Sequence, residues 1–256
     1  MTIETRDVDG GVRILTLNRP PANAINAELM NDLHTVCEAA KNDGAVRSVI
    51  VTGSGKFFSG GLDLKMLTTA AQGGTGSGFG SKDGVFSLWT LSKPTIAMVN
   101  GHAIAGGGII LLACDVRIAA RGNAKIGLNE TAIGLPLPTG AFEITALALS
   151  NRQARTIMLD AELHNPDRAR DLGMLDDVVE PSDLERVCIE KARLLGSYSQ
   201  PAYAHTKRLL QQHAVDAVVT ETDAQRRATF DVWTSPETMQ ALMKQLSGIS
   251  SSGLKK

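Results

Sequence analysis

The stretch Lys93–Asp115, KPTIAMVNGHAIAGGGIILLACD, constrains this chain more than any other. Thr95–Val99 is a short β-branched and apolar run that reads as a buried strand. Asn100-Gly101 turns the chain, and Ala105-Gly106-Gly107-Gly108 leads into Ile109-Ile110-Leu111-Leu112-Ala113-Cys114. That last run is apolar on every side, so a helix there is buried rather than amphipathic. Strand, glycine-rich bend and buried helix together present the first N–H groups of the helix to whatever lies above the bend. A helix end of this kind carries unpaired donors and partial positive charge, and favours an oxygen that is or becomes an anion.

The segments around it fit an α/β fold. Val12–Leu17 alternates as a strand and stops at Asn18-Arg19-Pro20-Pro21. Asn26 is placed to cap a helix over Ala27–Lys41, with Met30, Leu33, Cys37 and Ala40 on one face and Gly44 closing it. Ser48–Thr52 is a second buried strand, so the chain opens β-α-β. Gly53-Ser54-Gly55-Lys56 lacks the first glycine and the final Ser or Thr of a phosphate loop and is set aside. Phe58–Lys65 holds a second glycine bend, and Gly73–Gly80 is a low-complexity surface loop or a lid. Val116–Ala119, Lys125–Gly127 and Asp177–Val179 read as short strands. Asn165-Pro166 opens a helix that Gly173 ends, and Ser182-Asp183-Leu184-Glu185 forms a capping box. Helices over 201–212, 215–230 and 236–246 complete the chain.

With 26 basic and 27 acidic residues scattered along 256, no concentrated basic face for nucleic acid is expected. Cys37, Cys114 and Cys188 are odd in number and far apart, which suits packing rather than a disulfide framework or a metal site. The beginning of the chain shows no basic-then-apolar leader, and no apolar run approaches a membrane span, so a cytoplasmic location is expected. A serine hydrolase would need a GxSxG elbow, which is absent, and His102 after Asn-Gly suits a turn better than a base. The five histidines are dispersed, so no metal is expected, and His205 and His213 fall on a solvated face. Two glycine bends point elsewhere. Backbone N–H groups near Gly60 and Gly106 are suited to converge on one oxygen as an oxyanion hole, where a thioester ionised at its α-carbon would put its charge. Glu130, set among Ile126, Leu128, Ile133 and Leu135, is either a desolvated base or an exposed turn residue.

In order along the chain, NRPPANAIN (Asn18–Asn26), FSGGLDLK (Phe58–Lys65), KPTIAMVNGHAIAGGG (Lys93–Gly108), CDVRIA (Cys114–Ala119), IGLNETAIGLPLP (Ile126–Pro138), ARDLGMLDDVV and AHTKRLL resemble the crotonase, or enoyl-CoA hydratase/isomerase, superfamily. The resemblance implies a crotonase-like spiral of ββα units with a helical C-terminal region. It divides the chain into a core over residues 1–195 and a helical oligomerisation region over 196–256. It further implies a homotrimer or dimer of trimers acting on an acyl-CoA thioester, with coenzyme A as part of the substrate and no separate cofactor. By the same resemblance Gly60 and Gly106 match the oxyanion donors and Glu130 the acid-base group. Asn23, Ala24, Ile25, Ser59, Asp63 and Leu64 fall on the coenzyme A path, with Ile109 at the acyl group.

Hydratases of this family carry a second glutamate three residues beyond the second oxyanion glycine, where this chain has Ile109. An alkyl group neither holds a water nor exchanges a proton. The sequence is therefore most similar to Δ3,Δ2-enoyl-CoA isomerases, in which one carboxylate moves a proton from C2 to C4. Two alternatives remain at this point: a hydratase in which Glu130 alone or a group such as Glu143 handles water, and a non-catalytic acyl-CoA-binding subunit.

Overall fold

The computed structural model describes residues 1–63 and 83–252, with side chains as far as Lys244. Leu64 and the Gly73–Gly80 segment lie outside the described residues.

Nine described strands form two sheets. The larger has the order β1 (Ile3–Val8), β2 (Val12–Leu17), β3 (Ser48–Gly53), β5 (Thr95–Val99), β7 (Val116–Ala120) and β9 (Asp177–Val179). The smaller runs β4 (Phe57–Ser59), β6 (His102–Ile104) and β8 (Ile126–Gly127). Every pairing is parallel except β1 with β2. From β3 onward the chain alternates: one strand to the large sheet, the next to the small one, then helical structure, then back. This is the spiral of ββα turns that the resemblance implies.

The alternation of side chains explains why these strands are apolar throughout. Leu15, Leu17, Val49, Val51, Ala97 and Val99 enter the main core on one face of the large sheet. Ile14, Ile50, Ile96 and Met98 point the other way, against Leu184, Cys188 and Ala192 of the helix Leu184–Gly196. A parallel sheet covered on both faces leaves no polar stripe in the sequence. Helix α1 (Ala27–Asn42) begins at Asn26, whose side chain accepts from the Leu29 N–H, and it buries Met30, Leu33, Cys37 and Ala40 as the spacing predicts. All three cysteines are free and buried.

Several local expectations are corrected. β1 goes unrecognised in the sequence because IETRDV is an edge strand with mostly exposed side chains and no apolar alternation. Asp43, with ordinary extended backbone, caps α1 in place of Gly44. Asp183 caps Leu184–Gly196 without any side-chain bond, so Ser182 and Glu185 form no capping box. The helix expected to stop at Gln212 is continuous over Gln200–Val219, because Lys207, Gln211, Ala214 and Val218 keep one buried stripe along it. The break falls at Thr220, and Thr222 with Gln225 makes the capping box of the next helix, Asp223–Trp233. The last helix is Pro236–Ser252. No described helix is long and apolar enough to cross a membrane.

Candidate active site

Three segments leave the small sheet at the carboxyl ends of its parallel strands: Gly60–Asp63 after β4, Ala105-Gly106 after β6, and Leu128–Glu130 after β8. Loops at one end of adjacent parallel strands lie side by side, which is the arrangement on which α/β proteins build ligand sites.

The second segment starts the helix Gly106–Leu112. Ala105 stands at φ 52, ψ −125, a conformation that L-residues rarely adopt, and its N–H donates to the Gly127 carbonyl at 2.9 Å. No side chain caps this helix, so the Gly106 N–H, first in the helix, has no acceptor within it. The following glycines permit close contact. A Cβ on Gly107 would lie 2.1 Å from the Ser59 carbonyl oxygen, and one on Gly108 would lie 2.7 Å from Leu128 Cδ2. Gly61, at φ +86, completes the approach, because a Cβ there would meet the Ile104 oxygen at 2.8 Å and the Gly106 nitrogen at 3.2 Å. The two glycine bends are thus in backbone contact.

Gly60 is not the donor expected of it. Its N–H is already given to the Ala22 carbonyl at 2.8 Å. Two residues on, Ile25 bridges Leu62, using the Gly61 carbonyl and the Asp63 N–H. The Leu62 N–H faces away from that bridge and meets no acceptor among the described residues. This is the amide that the sequence reading missed, since the direction of successive N–H groups depends on a bridge that no local pattern announces.

Glu130 follows β8 and enters a single 3₁₀ turn, Thr131–Ile133, that Gly134 ends at φ 82. Its own carbonyl accepts the Ile133 N–H at 3.1 Å and the Leu135 N–H at 2.9 Å. The residue is only partly exposed, and its Oε2 is sealed from solvent without a hydrogen-bond partner, as is Oδ1 of Asn129. Burial pushes the Glu130 carboxyl up to about 7, opposed only by its own backbone N–H. Of the two readings left open by the sequence, the desolvated carboxylate is the one realised. Leu62, Ile133 and Phe230 pack against a small apolar cluster of Leu135, Trp233 and Leu242. The C-terminal helices therefore lie against the segment that carries Glu130.

The sequence profile of the enoyl-CoA hydratase/isomerase family matches residues 7–246. The chain belongs to this family. It is 32% identical over 209 residues to a short-chain-enoyl-CoA hydratase of Clostridium acetobutylicum, covering 80% of this chain and 79% of that protein. It is also 32% identical over 207 residues to the 2,3-dehydroadipyl-CoA hydratase of Escherichia coli, covering 78% of each. Among solved structures, an enoyl-CoA isomerase of Mycobacterium tuberculosis aligns with a TM-score of 0.75 at 26% identity, over 92% of this chain and 98% of that one. Human mitochondrial Δ3-Δ2-enoyl-CoA isomerase shares the fold with a TM-score of 0.88 at 23% identity, over 98% and 99%.

Within this enoyl-CoA hydratase/isomerase chain, several residues expected on the coenzyme A path prove to be internal. Asn23 is fully buried, and its Nδ2 donates to the carbonyls of Ser54 and Phe57 at 3.0 and 2.8 Å. Its own carbonyl accepts the hydroxyl of Ser59, also fully buried, at 2.8 Å. With every polar atom engaged inside the protein, Asn23 and Ser59 pin β4 to the preceding loop and offer nothing to a ligand. Ile25 is likewise sealed in the core. Ala24 stays partly exposed beside Arg19, which donates to its carbonyl at 3.0 Å and to Asp63 at 2.6 Å. That part of the path remains open to a ligand. Ile109 is fully buried in the core, one turn beyond Gly106. His102, expected in a turn, is instead the first residue of β6, where it accepts the Lys125 N–H at 2.9 Å and packs on Phe57.

Proposed function

We propose that this protein shifts the double bond of a 3-enoyl-CoA to the 2-position, with Glu130 as the single proton carrier. The observation that carries the reading is the state of that carboxylate: one oxygen, Oε2, is sealed from solvent without a hydrogen-bond partner among the described residues, and burial raises the group to about 7. A group so poised accepts a proton near neutral pH and gives it back. Glu130 takes the proton from C2 of the thioester, and the electron pair moves onto the thioester oxygen as an enolate. The N–H groups of Leu62 and Gly106 are the donors suited to that oxygen, and loss of one such donor costs ~10²–10³ in rate. The same proton returns to C4 while the double bond forms between C2 and C3, so no water is consumed. Ile109, buried in the core one turn beyond Gly106, supports a dry site, because it occupies with alkyl carbon the place where a hydratase of the resembled type holds a second carboxylate.

The names of the bacterial relatives favour a second reading, hydration of a 2-enoyl-CoA. One experiment separates the two: purified protein is assayed on trans-3-hexenoyl-CoA for conjugated thioester and on crotonyl-CoA for hydration. Conversion of the first with little hydration of the second, abolished in Glu130→Gln, supports the isomerase. Rapid hydration overturns it, as does full isomerase activity in Glu130→Gln. Acyl-CoA binding without turnover of either would mark a binding subunit.

A further inference from the structure

Among the described residues no side chain hydrogen-bonds the Glu130 carboxylate, so its aim is set by the backbone that carries it. That backbone is fixed from outside the turn at both ends. At the start, the Thr131 hydroxyl donates to the Met158 carbonyl at 2.7 Å. Met158 lies in a five-residue π-helical turn, Thr156–Asp160, which stops at Ala161 in left-handed backbone, φ 52 and ψ 33. Because the helix ends there, no later helical N–H reaches the Met158 oxygen, and Thr131 fills that vacant position. At the far end, the Thr238 hydroxyl of the last helix donates to the Gly134 carbonyl at 3.0 Å. Gly134 itself packs on Thr238 and Ala241, where a Cβ would come within 3.2 Å of the Ala241 methyl. Between the two anchors the turn closes on the carbonyl of Glu130 through the Ile133 and Leu135 amides.

We infer that Thr131 and Thr238 are positioning residues, which aim the Glu130 carboxylate by clamping the two ends of its turn to the π-helical segment and to the C-terminal helix. The inference rests on the reading of Glu130 as the proton carrier. Thr131 is exposed, and a single exposed hydrogen bond contributes little to stability. A merely structural role therefore predicts almost no effect of losing it. A positioning role predicts a large one, since a displacement of about 1 Å at a reacting group can cost ~10²-fold in rate.

The variants are Thr131→Val, which keeps the shape and loses the donor, and Thr131→Ser, which keeps the donor. Thr238→Val and Thr238→Ser form a second pair from the other element. Each folded variant is assayed for kcat and KM on the substrate that the wild type turns over. In parallel the protonated carboxyl stretch of Glu130 is followed against pH by infrared difference spectroscopy, with Glu130→Gln as the blank. The expected result is kcat reduced roughly 10- to 100-fold in Thr131→Val. KM stays near the wild-type value, and the titration midpoint of Glu130 falls towards the ordinary carboxyl range as the turn loosens. Thr131→Ser restores both. An unchanged midpoint and kcat in Thr131→Val, or equal impairment in Thr131→Ser, overturns the inference. The infrared titration needs no turnover, so a wild type inactive on 3-enoyl-CoA would refute the isomerase reading separately.

Discussion

Glu130→Gln should stabilise the fold, and should do so only as the pH rises. The carboxyl has an ordinary value of 4.5, and burial lifts it to about 7 in the folded protein. A group raised in this way favours the folded state while protonated. That contribution is complete below about pH 4.5 and is lost as the pH climbs through about 7. Glutamine stays neutral throughout. Linkage between the two protonation equilibria puts the wild type at a relative disadvantage of about 1 kcal/mol at pH 5 and about 3 kcal/mol at pH 8. Urea denaturation of both proteins from pH 5 to pH 8 therefore should show their stability difference widening by about 2 kcal/mol. The comparison is internal, since any fixed offset from exchanging a hydroxyl for an amide is the same at every pH. A difference that stays flat across this range would refute the claim that the folded protein keeps this carboxylate out of water.

Three further outcomes are expected. The kcat/KM profile should fall about tenfold per pH unit below about 7, because the base must be ionised to take a proton, and should level off above it; a midpoint near 4.5 would show a solvated carboxylate. Gly61→Ala adds a methyl at φ +86, 2.8 Å from the Ile104 oxygen and 3.2 Å from the Gly106 nitrogen. It should lower kcat by at least ~10-fold by parting the bends, and wild-type kinetics in this variant would mean that their contact is immaterial. Asn23→Ala removes the bonds to the Ser54 and Phe57 carbonyls and should cost about 2–3 kcal/mol in denaturation, with KM for the acyl-CoA unchanged; a raised KM with intact stability would restore a ligand role to Asn23.

The sequence disclosed most clearly those parts whose cause is local. The strands Ser48–Gly53 and Thr95–Val99 are legible because burial on both faces leaves only β-branched and apolar residues. α1 is legible because Asn26 and its apolar stripe lie within one segment. Glu130 stood out for the same reason, as the one carboxylate in LNETAIGL. Features set by distant partners were hidden. The Gly60 amide is taken by Ala22, and the Leu62 amide is left over by the bridge to Ile25, both through contacts some 37 to 38 positions apart in sequence. Asn23 and Ser59 look polar and available in one dimension, yet each satisfies the other's loop. The clamp on the Glu130 turn is made by Met158 and Thr238, which no spacing around position 130 could reveal.

The small sheet has a consequence for how such a chain can change its chemistry. Each of its strands arrives from a separate turn of the spiral and delivers one working part where it ends. The Leu62 amide comes after β4, the Gly106 amide after β6, and the carboxylate after β8. The parts are therefore modular, like tools held in parallel slots. An altered segment after β8 would exchange the group proposed to carry the proton while the two amides proposed to face the enolate stayed in place. A new reaction on the same thioester then calls for an edit to one turn, with the remainder of the spiral left as it is.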